Sequence, residues 1–117
     1  SHQHASRFAL AVGQMAAREL PDLVVVEMNK SLRVGKVFVD WSQNSRHKTT
    51  IAPYSLRARP TPTVSTPVTW EEVASGSEGA PLSFVADQVL ARIDDVGDLF
   101  APVASAVQAL PGGGDGD

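Results

Sequence analysis

The chain has 117 residues, 43% of them hydrophobic, with a net charge of −3 and no cysteine. Its length allows one domain at most. The lack of cysteine excludes a disulfide framework or a thiolate zinc site and fits a reducing cytoplasm. No run approaches the roughly 20 apolar residues of a membrane span, and the start shows no basic flank before an apolar run.

Residues 5–20 read as a helix. Phe8, Val12 and Met15 fall at helical spacing, and Ala9, Ala16 and Leu20 widen the stripe, which is core packing. Ser6 is the expected N-cap and Pro21 the stop. Residues 23–28 read as a buried strand and 29–35 as a connection. Residues 36–41 form the next strand, and 48–52, rich in β-branched residues, pair with it as a hairpin. Pro53, Pro60, Pro62 and Pro67 keep the following stretch extended and out of any central strand. Thr69 caps a short helix at Trp70–Val73, with Glu71 and Glu72 in its first turn. Residues 75–81 are a loop, 86–95 a helix faced by Val89, Leu90 and Ile93, and Gly97 breaks it. A last helix falls within 98–110. The expected fold class is α+β, a mostly antiparallel sheet centred on residues 23–52 with helices packed on it. Residues 1–110 make the domain portion, and the Gly/Asp-rich residues 111–117 a disordered tail or linker.

Charge is segregated along this frame. Residues 1–29 carry net −1, residues 30–59 net +6 and residues 60–117 net −8. The middle zone holds Lys30, Arg33, Lys36, Arg46, Lys48, Arg57 and Arg59 around a single acid, Asp40. Such concentration of positive potential points to a polyanion. The plain alternative is a basic surface loop balanced by acidic helices.

Asp40 follows the strand residues Val37, Phe38 and Val39, so its carboxylate emerges from a rigid element, as a metal ligand requires. A lone carboxylate in a basic field suits a metal ion that meets phosphates. The alternative is an aspartate that ends a strand and caps the next turn. Arg57 and Arg59, at i and i+2 on an extended chain, point the same way and suit bidentate phosphate contacts; otherwise they are solvated surface residues. Lys30, Ser31, Arg33 and Lys36 form a basic cluster with a hydroxyl, and for Lys36 a solvated loop is the plainer reading. Gln43 and Asn44 either hydrogen-bond a nucleotide or close the turn. His2 and His4 read as a frayed terminus and His47 as a solvent-exposed turn residue. The chain has no P-loop, dinucleotide fingerprint or nucleophile elbow.

Three stretches carry a family resemblance. The first is Met28-Asn29-Lys30-Ser31-Leu32-Arg33-Val34-Gly35-Lys36-Val37-Phe38-Val39-Asp40-Trp41-Ser42-Gln43-Asn44. The second is Lys48-Thr49-Thr50-Ile51-Ala52-Pro53-Tyr54-Ser55-Leu56-Arg57-Ala58-Arg59-Pro60, and the third Val64-Ser65-Thr66-Pro67-Val68-Thr69-Trp70. Together they resemble the polymerase domain of bacterial ligase D, an archaeo-eukaryotic primase-type nucleotidyltransferase of non-homologous end joining. Weaker similarity runs through the first helix and residues 81–100.

The resemblance implies that Asp40 is a metal-binding catalytic carboxylate. It implies that Arg33, Gln43, Arg57 and Arg59 hold the nucleotide's sugar and phosphates, with Lys30 and Ser31 beside them. Mn²⁺ or Mg²⁺ is the implied cofactor. DNA ends and nucleoside triphosphates are the implied partners, alongside the rest of the domain, a ligase domain or an end-binding protein, with no membrane. The implied location is the bacterial cytoplasm, at the nucleoid. The family's acidic pair, Asp-x-Asp, and its Ser/His motif lie upstream of these stretches. The acids before Asp40 here are Glu19, Asp22 and Glu27, none at i, i+2. The expectation is therefore the C-terminal portion of such a domain, inactive alone. A non-catalytic nucleic-acid or nucleotide-binding module is the alternative.

Overall fold

In the computed structural model residues 1–111 are described; most of the expected tail, residues 112–117, lies outside them. Two compact units are distinguishable, one over Ser1–Thr50 with residues 108–111, the other over Ile51–Val107.

The first unit opens with helix α1, His2–Glu19. It starts four residues before the expected cap, because Ser1 Oγ accepts from the His4 amide at 3.2 Å. His2 and His4 are therefore helical rather than frayed. Ser6 lies inside the helix and donates its hydroxyl to the Trp41 carbonyl at 3.3 Å. Leu20 N closes the last turn on Ala16 O ahead of Pro21.

The packed face of α1 is only part of the expected stripe: Phe8, Ala9 and Ala16 are half-buried, whereas Leu20 is exposed. Val12 and Met15 stay 41% and 54% exposed, while Gly13 is buried. A Cβ at Gly13 would stand 2.7 Å from Val26 Cγ1 and 3.0 Å from Val39 Cγ1. The helix thus approaches the strands through its smallest residue, and the side chains flanking that point turn outward.

The strands are β1, Val24–Val25, and β2, Val37–Phe38. They pair in parallel, Val24 with Val37 and Val25 with Phe38. This corrects the expected mostly antiparallel sheet, although the mixture of helix and strand stands. The residues between the strands include a 3₁₀ turn at Lys30–Arg33 and Gly35 at φ +70°, and they carry the chain back for a parallel crossover. The expected hairpin over 36–52 is also absent. After Asp40 the chain enters a second 3₁₀ turn, Trp41–Gln43, anchored by Trp41 Nε1 donating to Val26 O at 3.1 Å. Residues 48–52 then run without regular structure.

Antiparallel pairing occurs instead in the second unit, at an isolated bridge between Leu56 and Val64. Arg57 N donates to Thr63 O at 2.8 Å and Ser65 N to Ser55 O at 2.9 Å. Pro60 and Pro62 sit in the connecting loop, where no ladder donor is needed. Helix α2, Trp70–Ser77, begins at Thr69 as expected and runs past Val73 to Ser77. Its cap is reciprocal: Glu72 N donates to Thr69 Oγ1 at 3.2 Å, and Thr69 N to Glu72 Oε2 at 2.7 Å.

Helix α3, Ala86–Val96, ends at Gly97, which takes φ +76°. Val89 is buried, but Leu90 is 65% exposed, so only part of the expected face packs. The last helix is a single turn, α4, Pro102–Ser105. Arg92 ties α3 to α2 through an ion pair with Glu72 and also donates to Pro67 O at 3.2 Å.

Among the described residues the buried apolar side chains are Val25, Val64 and Val89. No helix among them is long and apolar enough to cross a membrane.

Candidate functional site

Asp40 follows β2 by two residues and opens the Trp41–Gln43 turn. It stands at the N-cap position of that turn, as in the plain alternative, without a side-chain bond to the turn's backbone. Instead Oδ1 accepts from the Ser42 hydroxyl at 2.9 Å, and Ser42 Oγ accepts from Lys48 Nζ at 3.3 Å. Slight burial pushes the Asp40 pKa up. The hydrogen bonds of Ser42 and Gln43 and the charges of Lys48 and Arg33 outweigh it, leaving the carboxyl below its ordinary value. At neutral pH the group is an exposed, ionised carboxylate ringed by donors.

Arg33 closes the first 3₁₀ turn. Asn29 opens that turn, its Oδ1 accepting from Ser31 N at 3.0 Å and from the Ser31 hydroxyl at 2.8 Å. The Arg33 guanidinium lies 3.7 Å from the centroid of the Phe38 ring and donates to Met28 O. Its Nε is buried and has no partner among the described residues. The stack on β2 holds a cation beside the strand that delivers Asp40. Lys30 is exposed on the same turn, and the Ser31 hydroxyl is already engaged with Asn29. Asn44 Nδ2 donates to Trp41 O at 3.2 Å and so closes the turn, whereas Lys36 Nζ donates to Pro21 O at 3.0 Å rather than pointing freely into solvent.

In the second unit Arg57 and Arg59 line one cavity of about 440 Å³ with Thr63, Ser65, Thr66 and Ser83. The Leu56–Val64 bridge builds its wall, and Val64 N donates to Phe84 O at 2.9 Å. Two guanidinium groups facing a set of hydroxyls form a surface suited to phosphate oxygens.

The structure thus brings Asp40, Arg33 and Gln43 together in the first unit, and Arg57 with Arg59 in the second. Ser42 acts on Asp40 and Phe38 on Arg33, contacts not expected from the sequence, while Lys48 is one of the cations expected around Asp40. The Asp-x-Ser spacing at 40–42 was the available signal for Ser42. The hydroxyls at Thr63, Ser65 and Ser83 carried no signal, because a long-range bridge assembles them. Among the described residues no three His, Asp or Glu side chains gather into a metal-binding group.

Comparison with known proteins decides the family. The family described as "LigD, primase-polymerase domain" matches residues 1–100. The chain belongs to the LigD primase-polymerase family. It is 53% identical over 103 residues to the multifunctional non-homologous end joining protein LigD of Mycolicibacterium smegmatis, covering 88% of this chain and 13% of that protein. It is 50% identical over 110 residues to the multifunctional non-homologous end joining DNA repair protein LigD of Mycobacterium tuberculosis strain H37Rv, covering 89% of this chain and 14% of that protein.

Among solved structures it resembles the polymerase domain from Mycobacterium tuberculosis ligase D in complex with DNA. The TM-score is 0.83 at 47% identity, over 92% of this chain and 37% of that one. The chain therefore spans about one seventh of the curated LigD relatives named here.

Proposed function

We propose that this chain supplies the metal-facing and phosphate-facing part of a polymerase domain that adds nucleotides to DNA ends in bacterial double-strand break repair, in the cytoplasm. The observation that carries it is the convergence of Arg33, Gln43 and Lys48 on the ionised Asp40. Asp40 is the metal ligand. Arg33 and Gln43 orient the incoming nucleotide, with Lys30 and Ser31 beside them; Arg57 and Arg59, in the second unit, are phosphate-binding residues.

A divalent metal at this site would neutralise the triphosphate and activate the primer hydroxyl. Mn²⁺ or Mg²⁺ takes about six oxygen ligands, and one carboxylate offers at most two. The residues present therefore fit one part of a metal site and not the whole, so the chain is inactive by itself.

Its packing supports the same reading. Parallel sheets are normally covered on both faces, and a two-stranded sheet is marginal alone. Here Val37 is 65% and Leu23 56% exposed beside the strands. In this proposal the rest of a polymerase domain covers them and completes the carboxylate set.

Nucleotide binding tests the reading. A labelled nucleoside triphosphate titrated with Mn²⁺ should bind the chain and should bind Arg57→Ala about tenfold more weakly, since charged hydrogen bonds contribute about 1.5–3 kcal/mol. Equal binding by both would overturn the phosphate assignment. Salt-sensitive DNA binding with no nucleotide addition, even with the rest of the domain supplied, would favour the non-catalytic module.

A further inference from the structure

A second cleft, of about 540 Å³, lies in the first unit between the first turns of α1 and the Trp41–Gln43 turn with its continuation. His2 and Arg7 line it from the helix, and Arg46 and His47 from the loop; Asn44 and Ser42 stand among them. No Asp or Glu lines it. Among the described residues neither Arg7 nor Arg46 is in an ion pair. The first turn of α1 carries no acid either, so the positive end of the helix dipole adds to the same field. The walls are fixed to each other by Ser6 donating to Trp41 O; Trp41 in turn donates to Val26 O, after β1. The cleft carries an arginine on each wall, Arg7 and Arg46, while Ser6, Ser42 and Asn44 are engaged within the protein.

We propose that this cleft seats a backbone phosphate of the DNA strand. Placing a polynucleotide there, rather than a free nucleotide, rests on the proposed role of Asp40. Ser42 both lines the cleft and donates to Asp40, so the cleft adjoins the carboxylate at which a strand end would react. A strand ending there must carry its next phosphates past neighbouring surface, and this surface is positive and unpaired. Phosphate contacts of this kind set the register of a strand without reading its sequence.

The test is DNA binding across a salt series by the full chain, with labelled single-stranded DNA, comparing it with the double variant Arg7→Gln/Arg46→Gln. Both positions are exposed, so folding is expected to persist, and circular dichroism checks it. Removing the two arginines that hold one phosphate should weaken binding and flatten the log–log salt slope by about 0.7, the figure for one neutralised phosphate on a single strand. Nucleoside triphosphate binding, read in parallel, should not change.

An unchanged slope, or no DNA binding by the unsubstituted chain at low salt, would overturn the proposal. Equal losses for DNA and free triphosphate would assign the cleft to the nucleotide and overturn it too. If triphosphate binding proves insensitive to Arg57→Ala while the double variant still flattens the slope, the nucleotide assignment fails and the cleft survives.

Discussion

The two compact units differ in how their polar side chains are satisfied. In Ile51–Val107 caps and an ion pair hold structure together, while Arg57 and Arg59 stand exposed on a cavity wall. Thr69 and Glu72 cap α2, Arg92 bonds Glu72 and Pro67 O, and Tyr54 donates to Asp98 at 2.7 Å. In Ser1–Thr50 the described residues form no ion pair. Asp40 stands exposed, Arg33 lies flat on Phe38, and Arg7 and Arg46 have no carboxylate partner among the described residues. Charges that satisfy each other stabilise a fold; charges left unsatisfied beside a strand end mark where a ligand would balance them.

The contrast breaks most readily at Gly13. Gly13→Leu should drive α1 off Val26 and Val39 and destabilise the first unit by about 1–3 kcal/mol, even after the gain in helix propensity. Chemical denaturation followed by circular dichroism measures it, and unchanged stability would mean that the close approach carries no packing.

In the second unit, Thr69→Ala removes one half of the capping box. The expected loss is about 1 kcal/mol, read by the same method, with triphosphate affinity unchanged.

Phe38→Leu removes the platform under Arg33. A stack of this kind contributes about 0.5–1 kcal/mol. Triphosphate affinity should therefore fall a few-fold while stability changes little. A change confined to stability would make Arg33 a packing residue.

The smallest effect is acid sensitivity in the second unit. Its bond to Arg92, with the Thr69 amide, holds the Glu72 carboxyl down at about 2. A depressed carboxylate stabilises the fold above its unfolded pKa, and that contribution is lost as pH falls from about 4 toward 2. Arg92→Gln should remove this acid-side dependence. A titration identical for both proteins would show that the pair is not linked to folding.

Features set by local chemistry were legible in the sequence. Thr69 with Glu72 three residues on announced a helix start, and Gly97 a helix end. Val37-Phe38-Val39-Asp40 announced a strand delivering a carboxylate. What depended on distant partners was not legible. The parallel register of Val24 with Val37 comes from a crossover whose 3₁₀ turn at Lys30–Arg33 is held by one Asn29 side chain. The outward turn of Val12 and Met15 follows from Gly13 being the point of contact, and a periodic stripe favours the larger residues. The Leu56–Val64 bridge was hidden behind prolines that only occupy its loop. The candidate site divides the same way: Asp40 could be found from its own neighbours, whereas the Ser42–Lys48 relay required folded coordinates.

The central claim is that Asp40 is one ligand of a metal site that this chain does not complete. The most direct measurement is Mn²⁺-dependent nucleotide addition to a gapped, 5′-phosphorylated DNA end. It compares the chain alone, the chain with the rest of a LigD polymerase domain supplied, and the same pair carrying Asp40→Ala. The account predicts no extension by the chain alone, extension when the rest is present, and loss of that extension in Asp40→Ala. Extension by the chain alone that vanishes in Asp40→Ala would contradict it, because the metal site would then be complete within these residues or between two copies of them.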